Sequence, residues 1–218
     1  MPQELNPMHH LALISSIVFI IFVMMASFGK GSTRTLGFIL AGVLGLVMSI
    51  GLIKGFERIV YGPLNINSAK LVIALGLAIL LPAPLRWTRP AWGWLLAGLI
   101  ILPVLAIVLE VKHFHPAFKM TVLWFALNNI VTVLAEDFYF RRFVQDHLKG
   151  LGTPIEVLIT GALFGLAHFK AGHMFMLLAA VAGVIYSATY RSTGNSVWAV
   201  SVVHLSVNVL GVLLFGIP

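Results

Sequence analysis

The sequence predicts an all-α fold, a polytopic transmembrane bundle of about eight spans, and three observations carry that prediction. Apolar residues make up 60% of the 218 residues and charged residues only 10%. Mean hydropathy is +1.01. A soluble domain carries roughly 25% charged residues, because its surface must face water. The third observation is arrangement: apolar stretches of near-spanning length follow one another and leave no room for a separate soluble domain. A soluble enzyme, a disordered chain and a nucleic-acid module are excluded together.

A span needs about 20 mainly apolar residues to cross roughly 30 Å of hydrocarbon. The stretches that meet or approach this are Leu11–Phe28, Leu36–Ile53, Leu71–Leu85, Trp92–Leu109, Phe118–Phe140, Pro154–Phe169, His173–Tyr190 and Val197–Ile217. The first has no Lys or Arg before it and no small-residue cleavage site after it, so it is expected to be a retained anchor rather than a removable signal. The second carries Gly37, Gly42, Gly45 and Gly51, small residues that favour close helix packing. The third is short and contains Pro82 and Pro84, and the sixth is short as well. The chain divides into scaffold helices over 1–115 and motif-bearing helices over 116–218, within one membrane-embedded domain.

Charge sets orientation rather than nucleic-acid binding. The net charge of +7 is spread without a dense basic run. Eight spans put both ends on one side, with Lys54, Arg58, Lys70, Lys112, Lys119 and Lys170. The other side has Lys30, Arg34, Arg86, Arg89, Arg141, Arg142, Lys149 and Arg191. The positive-inside rule leans by that margin of two toward external termini. There is no cysteine, which removes disulfides, thiolate metal sites and a thiol nucleophile.

An ionisable side chain in hydrocarbon costs on the order of 3 kcal/mol, so its presence points to function. The spans contain Glu136, Asp137, Arg141, His168, His173 and His204, with the amides Asn128, Asn129 and Asn208. Nearly all fall in the second half. At 1.5 Å per residue, Glu136 and Asn208 lie about 21 Å from one membrane face, His168 about 24 Å and His204 about 15 Å. Four side chains distant in sequence can therefore meet at one level.

Local spacing adds detail. Asp137 and Arg141 are i and i+4, acid first, the order that suits an ion pair on a helix. His204 and Asn208 share a face by the same spacing, as do Phe164 and His168. His173, His9 and His10 read as interfacial, His113-x-His115 is a weak metal signal, and Asn128 and Asn129 read as helix-to-helix glue. Trp124, Phe125, Phe138 and Tyr139 read as packing or lipid-facing, with an apolar pocket as the other reading.

A carboxylate and two imidazoles in a dry pocket suit hydrolysis by activated water. The same three side chains, Glu136, His168 and His204, also make a two-His-one-carboxylate metal set. No His is followed by Glu, which removes H-E-x-x-H; no G-x-S-x-G is present; and Asp137 and Asp146, the two Asp residues, are too close on one helix for an aspartyl dyad.

Three runs resemble a known family. Glu136-Asp137-Phe138-Tyr139-Phe140-Arg141 is similar to its E-E-x-x-x-R motif, Phe164-Gly165-Leu166-Ala167-His168 to its F-x-x-x-H motif, and His204-Leu205-Ser206-Val207-Asn208 to its H-x-x-x-N motif. The family is the CAAX-protease and bacteriocin-processing (Abi) family of intramembrane endopeptidases, and the resemblance spans roughly residues 118–210. One departure is Asp137, where the family usually has Glu.

The resemblance implies that Glu136 and His168 activate the attacking water and that His204 and Asn208 stabilise the oxyanion. Asp137 and Arg141 would support the motif helix, and Phe164 the imidazole. It also implies either a metal-free glutamate hydrolase or a zinc enzyme; the metal-free version is preferred because Asn208 is a poor zinc ligand and a good oxyanion donor. The implied partners are membrane lipid and a membrane-associated protein or peptide substrate, with no nucleic acid. The implied setting is the cytoplasmic (inner) membrane of a prokaryote. An idle immunity or scaffold protein of the same fold and a small transporter are the rival readings.

Overall fold

The structure, a computed structural model, describes residues 7–53, 55–111 and 120–216. Among them are α1 (Pro7–Phe28), α2 (Ser32–Ser49), the strands β1 (Arg58–Tyr61) and β2 (Leu64–Asn67), α3 (Ser68–Leu80) and α4 (Arg89–Val108). Then come α5 (Met120–Asp137), a π-helical segment (Phe138–Gln145), the single turn α6 (Asp146–Leu148), α7 (Thr153–Leu166), α8 (His173–Ser192) and α9 (Val197–Phe215). Lys54, Lys112, His113, His115, Pro116, Lys119 and the boundary at 115/116 lie outside the described residues.

The all-α bundle expected from composition is what forms. Five helices are long and apolar enough to cross a membrane: His9–Phe28 within α1, then α2, α4, α8 and α9. The two stretches read as short are short: α3 and α7 are apolar helices below spanning length. At 1.5 Å per residue each covers about 20 Å. In α5 the apolar run is interrupted by Asn128, Asn129, Glu136 and Asp137. The protein is an integral membrane protein, and its exposed Leu13, Ile17, Leu96, Ile100, Leu158 and Val202 are a lipid-facing surface rather than a solubility defect.

Helix ends follow local chemistry. The Asn67 side chain caps α3, accepting from the backbone N–H of Ala69 at 2.9 Å and of Lys70 at 3.2 Å. Ser196 caps α9 through the N–H of Ala199. Pro90 and Pro154 sit in the first turns of α4 and α7, where a missing N–H costs nothing. Gly152 and Gly172, at φ 86° and 96°, take the left-handed turns that enter α7 and α8.

The hairpin was not expected from the sequence. Arg58-Ile59-Val60-Tyr61 pairs antiparallel with Leu64-Asn65-Ile66-Asn67. Asn128 of α5 clasps it: its Oδ1 accepts from the N–H of Asn65 at 2.6 Å and its amide donates to the Pro63 carbonyl at 3.0 Å. The expected glue is real here, but it joins helix to hairpin rather than helix to helix.

The core is one contiguous cluster centred on the π segment. Phe138, Tyr139, Phe140, Phe143 and Val144 are buried against Phe19 and Val23 of α1, Ile73 and Leu77 of α3, Tyr186 of α8 and Val203 of α9. Among the four glycines singled out in the second apolar stretch, Gly37 and Gly45 are close-packing positions, against Met25 and against the Tyr139 ring. Gly42 and Gly51 have open space where a Cβ would stand, so they are not. A second close helix contact is α7 on α8. A Cβ on Gly161 would come within 2.9 Å of the Val184 backbone N, and one on Gly165 within 2.8 Å of the Met176 carbonyl. Gly161-x-x-x-Gly165 lets these two backbones touch.

Candidate active site

The end of α5 presents Glu136 and Asp137 side by side, and the chain switches to π-helix at the next residue. Segments of this kind are rare and recur at functional sites. Glu136 is 7% exposed and points to the junction of two cavities. The larger, about 640 Å³, has Glu136, His168, His204 and Asn208 in its lining, with walls that include Leu102, Phe125, Phe175, Leu178 and Val207. The smaller, about 220 Å³, runs past Glu136 and His168 to Ser49 and Lys170. The four side chains placed at one depth by counting helical rise therefore do line one space.

Each imidazole is held by its Nδ1. His168, just past the end of α7, donates Nδ1–H to the carbonyl of Phe164 at 2.8 Å, which leaves Nε2 as the free ring nitrogen. His204 on α9 has Nδ1 at 3.3 Å from Asp137 Oδ1, and its Nε2 is 3.9 Å from Glu136 Oε2. The Tyr186 ring stacks on His204 with centroids 4.3 Å apart. Phe164 packs between the two imidazoles, 4.7 Å from His168 and 5.7 Å from His204. Its expected place beside His168 is confirmed, and it separates the two rings as well.

The expected Asp137–Arg141 ion pair is not formed. Asp137 instead accepts from the Ser201 hydroxyl at 3.0 Å and holds His204. Arg141 is fully buried, and none of its three guanidinium nitrogens has a hydrogen-bond partner among the described residues. It lies over the rings of Phe164 at 4.8 Å and Tyr186 at 5.6 Å. The i, i+4 expectation assumed an α-helix through residue 141. A π turn bonds five residues apart instead of four, which rotates Arg141 about the axis, while α9 supplies closer partners to Asp137.

Of the other predicted residues, some stand apart from the cavity and two line it. His173 is exposed at the start of α8, and His9 pairs with Glu57 at 3.2 Å. Tyr139 and Phe138 are core, with the Tyr139 hydroxyl donating to the Gly42 carbonyl, whereas Phe125 lines the large cavity. Asn129 lines it too, and its buried Oδ1 has no partner among the described residues.

One residue at the site was missed. Lys70 of α3, counted above with the loop charges, reaches inward, and its Nζ lies 2.5 Å from Glu136 Oε1. It borders both cavities. No local signal could have found it, because its partner is 66 residues away in sequence. Arg142 and Arg191, also counted as loop charges, are engaged as well. Arg142 pairs with Asp146 at 2.5 Å; Arg191 pairs with Asp146 at 3.0 Å and with buried Glu156.

A metal is the alternative the donor set raises. Among the described residues no group of three His, Asp or Glu side chains is gathered as an ion would require. An ammonium also occupies Oε1 of Glu136. The side chains as they stand do not fit a metal.

Comparison with curated proteins and with solved structures gives no match. Residues 118–210, the segment that supplies Glu136, His168, His204 and Asn208, match the family described as "Type II CAAX prenyl endopeptidase Rce1-like", so the likeness drawn from three short motifs holds over that whole segment.

Proposed function

We propose that this protein is an intramembrane endopeptidase that hydrolyses a peptide bond in a membrane-associated protein or peptide. The observation that carries the reading is the shared cavity. One carboxylate, two imidazoles, two amides and the Lys70 ammonium line one space, and apolar side chains make most of its remaining wall.

In this reading the carboxylate of Glu136, with His168 Nε2, takes a proton from water as the water oxygen attacks the carbonyl carbon. The proton then passes to the departing amine as the C–N bond breaks. Asn208 and His204 stabilise the oxyanion, a contribution typically worth about 3 kcal/mol per donor. Asp137 and Ser201 act behind His204, fixing its ring. No metal enters the reaction. Candidate substrates are CAAX-type C-terminal segments, sorting signals and pheromone or bacteriocin precursors, and the setting is the inner membrane of a prokaryote.

The test is cleavage of a quenched fluorogenic CAAX-type peptide and a peptide library by purified protein. Wild type is compared with Glu136→Gln and His168→Ala, each with and without a chelator. The reading expects cleavage that both substitutions abolish and the chelator leaves intact. Loss to the chelator with recovery on zinc would return Glu136, His168 and His204 to the role of metal ligands. Glu136→Gln as active as wild type would sink the hydrolase.

A further inference from the structure

Lys70 lies outside the three motifs and outside the segment that matches the family, yet it makes the shortest polar contact with Glu136. A lysine three residues into a membrane helix ordinarily extends its stem toward the headgroups. Here the ammonium turns the other way, into the bundle, and its side chain is only 17% exposed.

The backbone on either side of this contact is fixed. Asn67 caps α3 by accepting from the N–H of Lys70 itself, which sets the lysine in the first turn. The hairpin runs directly into that cap, and Asn128 fastens the hairpin to α5. Asn128 is eight residues before Glu136 on the same helix, about 12 Å along the axis. The segment that carries the cation and the helix that carries the carboxylate are thus tied together twice, once through Asn128 and once through the ion pair.

The charged and titratable groups around Glu136 are Lys70 from α3, His168 beyond α7, His204 from α9, Arg141 from the π segment and its neighbour Asp137. Lys70 alone among them is within bonding distance of the carboxylate, since His204 Nε2 stands at 3.9 Å. Lys70 engages Oε1 and leaves Oε2 toward His204 and the large cavity. A water can bind there without displacing the ammonium, because each carboxylate oxygen offers two lone pairs.

We infer that Lys70 is a positioning residue of the hydrolytic site, whose ammonium holds the Glu136 carboxyl group turned to the cavity junction where the water is activated. The inference rests on the hydrolase reading above. Lys70 takes no part in the proton transfer; the proton that moves goes from water to Glu136 and on to the departing amine.

The chain has no cysteine, so Lys70→Cys creates a single thiol. Alkylation with 2-bromoethylamine rebuilds an ammonium on a side chain of lysine length, and iodoacetamide adds a neutral group; intact mass confirms each product. Lys70→Met and Lys70→Arg test the same point without chemistry. The substrate is the fluorogenic peptide, with kcat and KM measured separately and the thermal midpoint recorded for each variant.

The expected result is a kcat lower by about 100-fold in Lys70→Cys and Lys70→Met, with KM within about threefold. Aminoethylation should restore at least about tenfold, Lys70→Arg should stay within about tenfold of wild type, and the neutral adduct should restore nothing. Equal recovery with the neutral adduct, or Lys70→Met within threefold of wild type, overturns the inference and leaves the hydrolase standing. Wild type no faster than Glu136→Gln overturns both.

Discussion

Glu136 faces groups from two other parts of the chain, Lys70 on α3 and His204 on α9, and its own helix provides none of its bonding partners among the described residues. Truncating the acid while keeping its shape isolates the chemistry. Glu136→Gln is expected to lower kcat by about 1,000-fold with little change in KM, and Asn208→Ala by about 100-fold, both read in the fluorogenic assay. A second residue-scale contrast concerns two guanidinium groups, Arg141, which is buried, and Arg191, which is partly so. Arg191 closes on Glu156, which is 1% exposed, so Arg191→Met leaves a buried acid unpaired. A loss of about 3 kcal/mol is expected, seen as a lower thermal midpoint in detergent. Arg141 has no hydrogen-bond acceptor among the described residues and rests on aromatic rings, so Arg141→Met should leave the midpoint within a few degrees. A large drop for Arg141→Met with none for Arg191→Met would reverse this assignment of structural weight. The motifs made Glu136, His168, His204 and Asn208 legible because each pair within a motif follows helical spacing. The Asp137–Arg141 pair failed because that spacing stops being α-helical at Phe138.

At the scale of elements, the position of His168 depends on how α7 lies against α8. Gly161, Gly165 and Gly183 remove side chains where those backbones meet. Gly161→Leu must push the helices apart, since its Cβ alone would approach backbone atoms of Val184 and Ala180 at 2.9 and 3.1 Å. Overpacking of this kind typically costs about 2 kcal/mol, and the lateral shift of His168 should lower kcat as well. Gly42→Ala is the control: its Cβ meets nothing, and both stability and activity should match wild type. Equal behaviour of the two variants would show that α7 and α8 do not depend on this contact. Spans were legible from hydropathy, and so were the short third and sixth ones. The hairpin was not, because its four-residue strands lie between apolar stretches and read simply as a loop. The glycines of the second apolar stretch were only half legible, since a small residue in a sequence does not show which face of its helix meets another.

For the whole molecule, the arrangement joins a largely apolar space to a polar corner at Glu136. Gly211 lines the large cavity and has open room where a Cβ would stand. Gly211→Leu is therefore expected to fill part of that cavity without strain. KM for a substrate with a bulky apolar group should rise by about tenfold, with the thermal midpoint and the kcat for a small peptide unchanged. Loss of kcat for every substrate would mean that α9 had moved rather than that the cavity was filled. Orientation is also a property of the whole chain. Lys70, Arg141, Arg142 and Arg191 were counted as loop charges, yet the structure commits Lys70, Arg142 and Arg191 to ion pairs and buries Arg141 entirely. The margin of two that favoured external termini therefore rests on charges with other employment.

By itself the sequence determined that this protein is a helical membrane bundle, because hydropathy and length are sums over a segment and need no knowledge of neighbours. It also determined which half carries the motifs, because i, i+4 spacings are local. Only the tertiary structure decided that Lys70 joins Glu136, that Asp137 serves His204 rather than Arg141, and that Asn128 holds a hairpin. Each of these joins residues more than sixty positions apart, or turns on a switch in helix type. Contacts of that kind are set by how the helices pack, and no spacing along the chain encodes them.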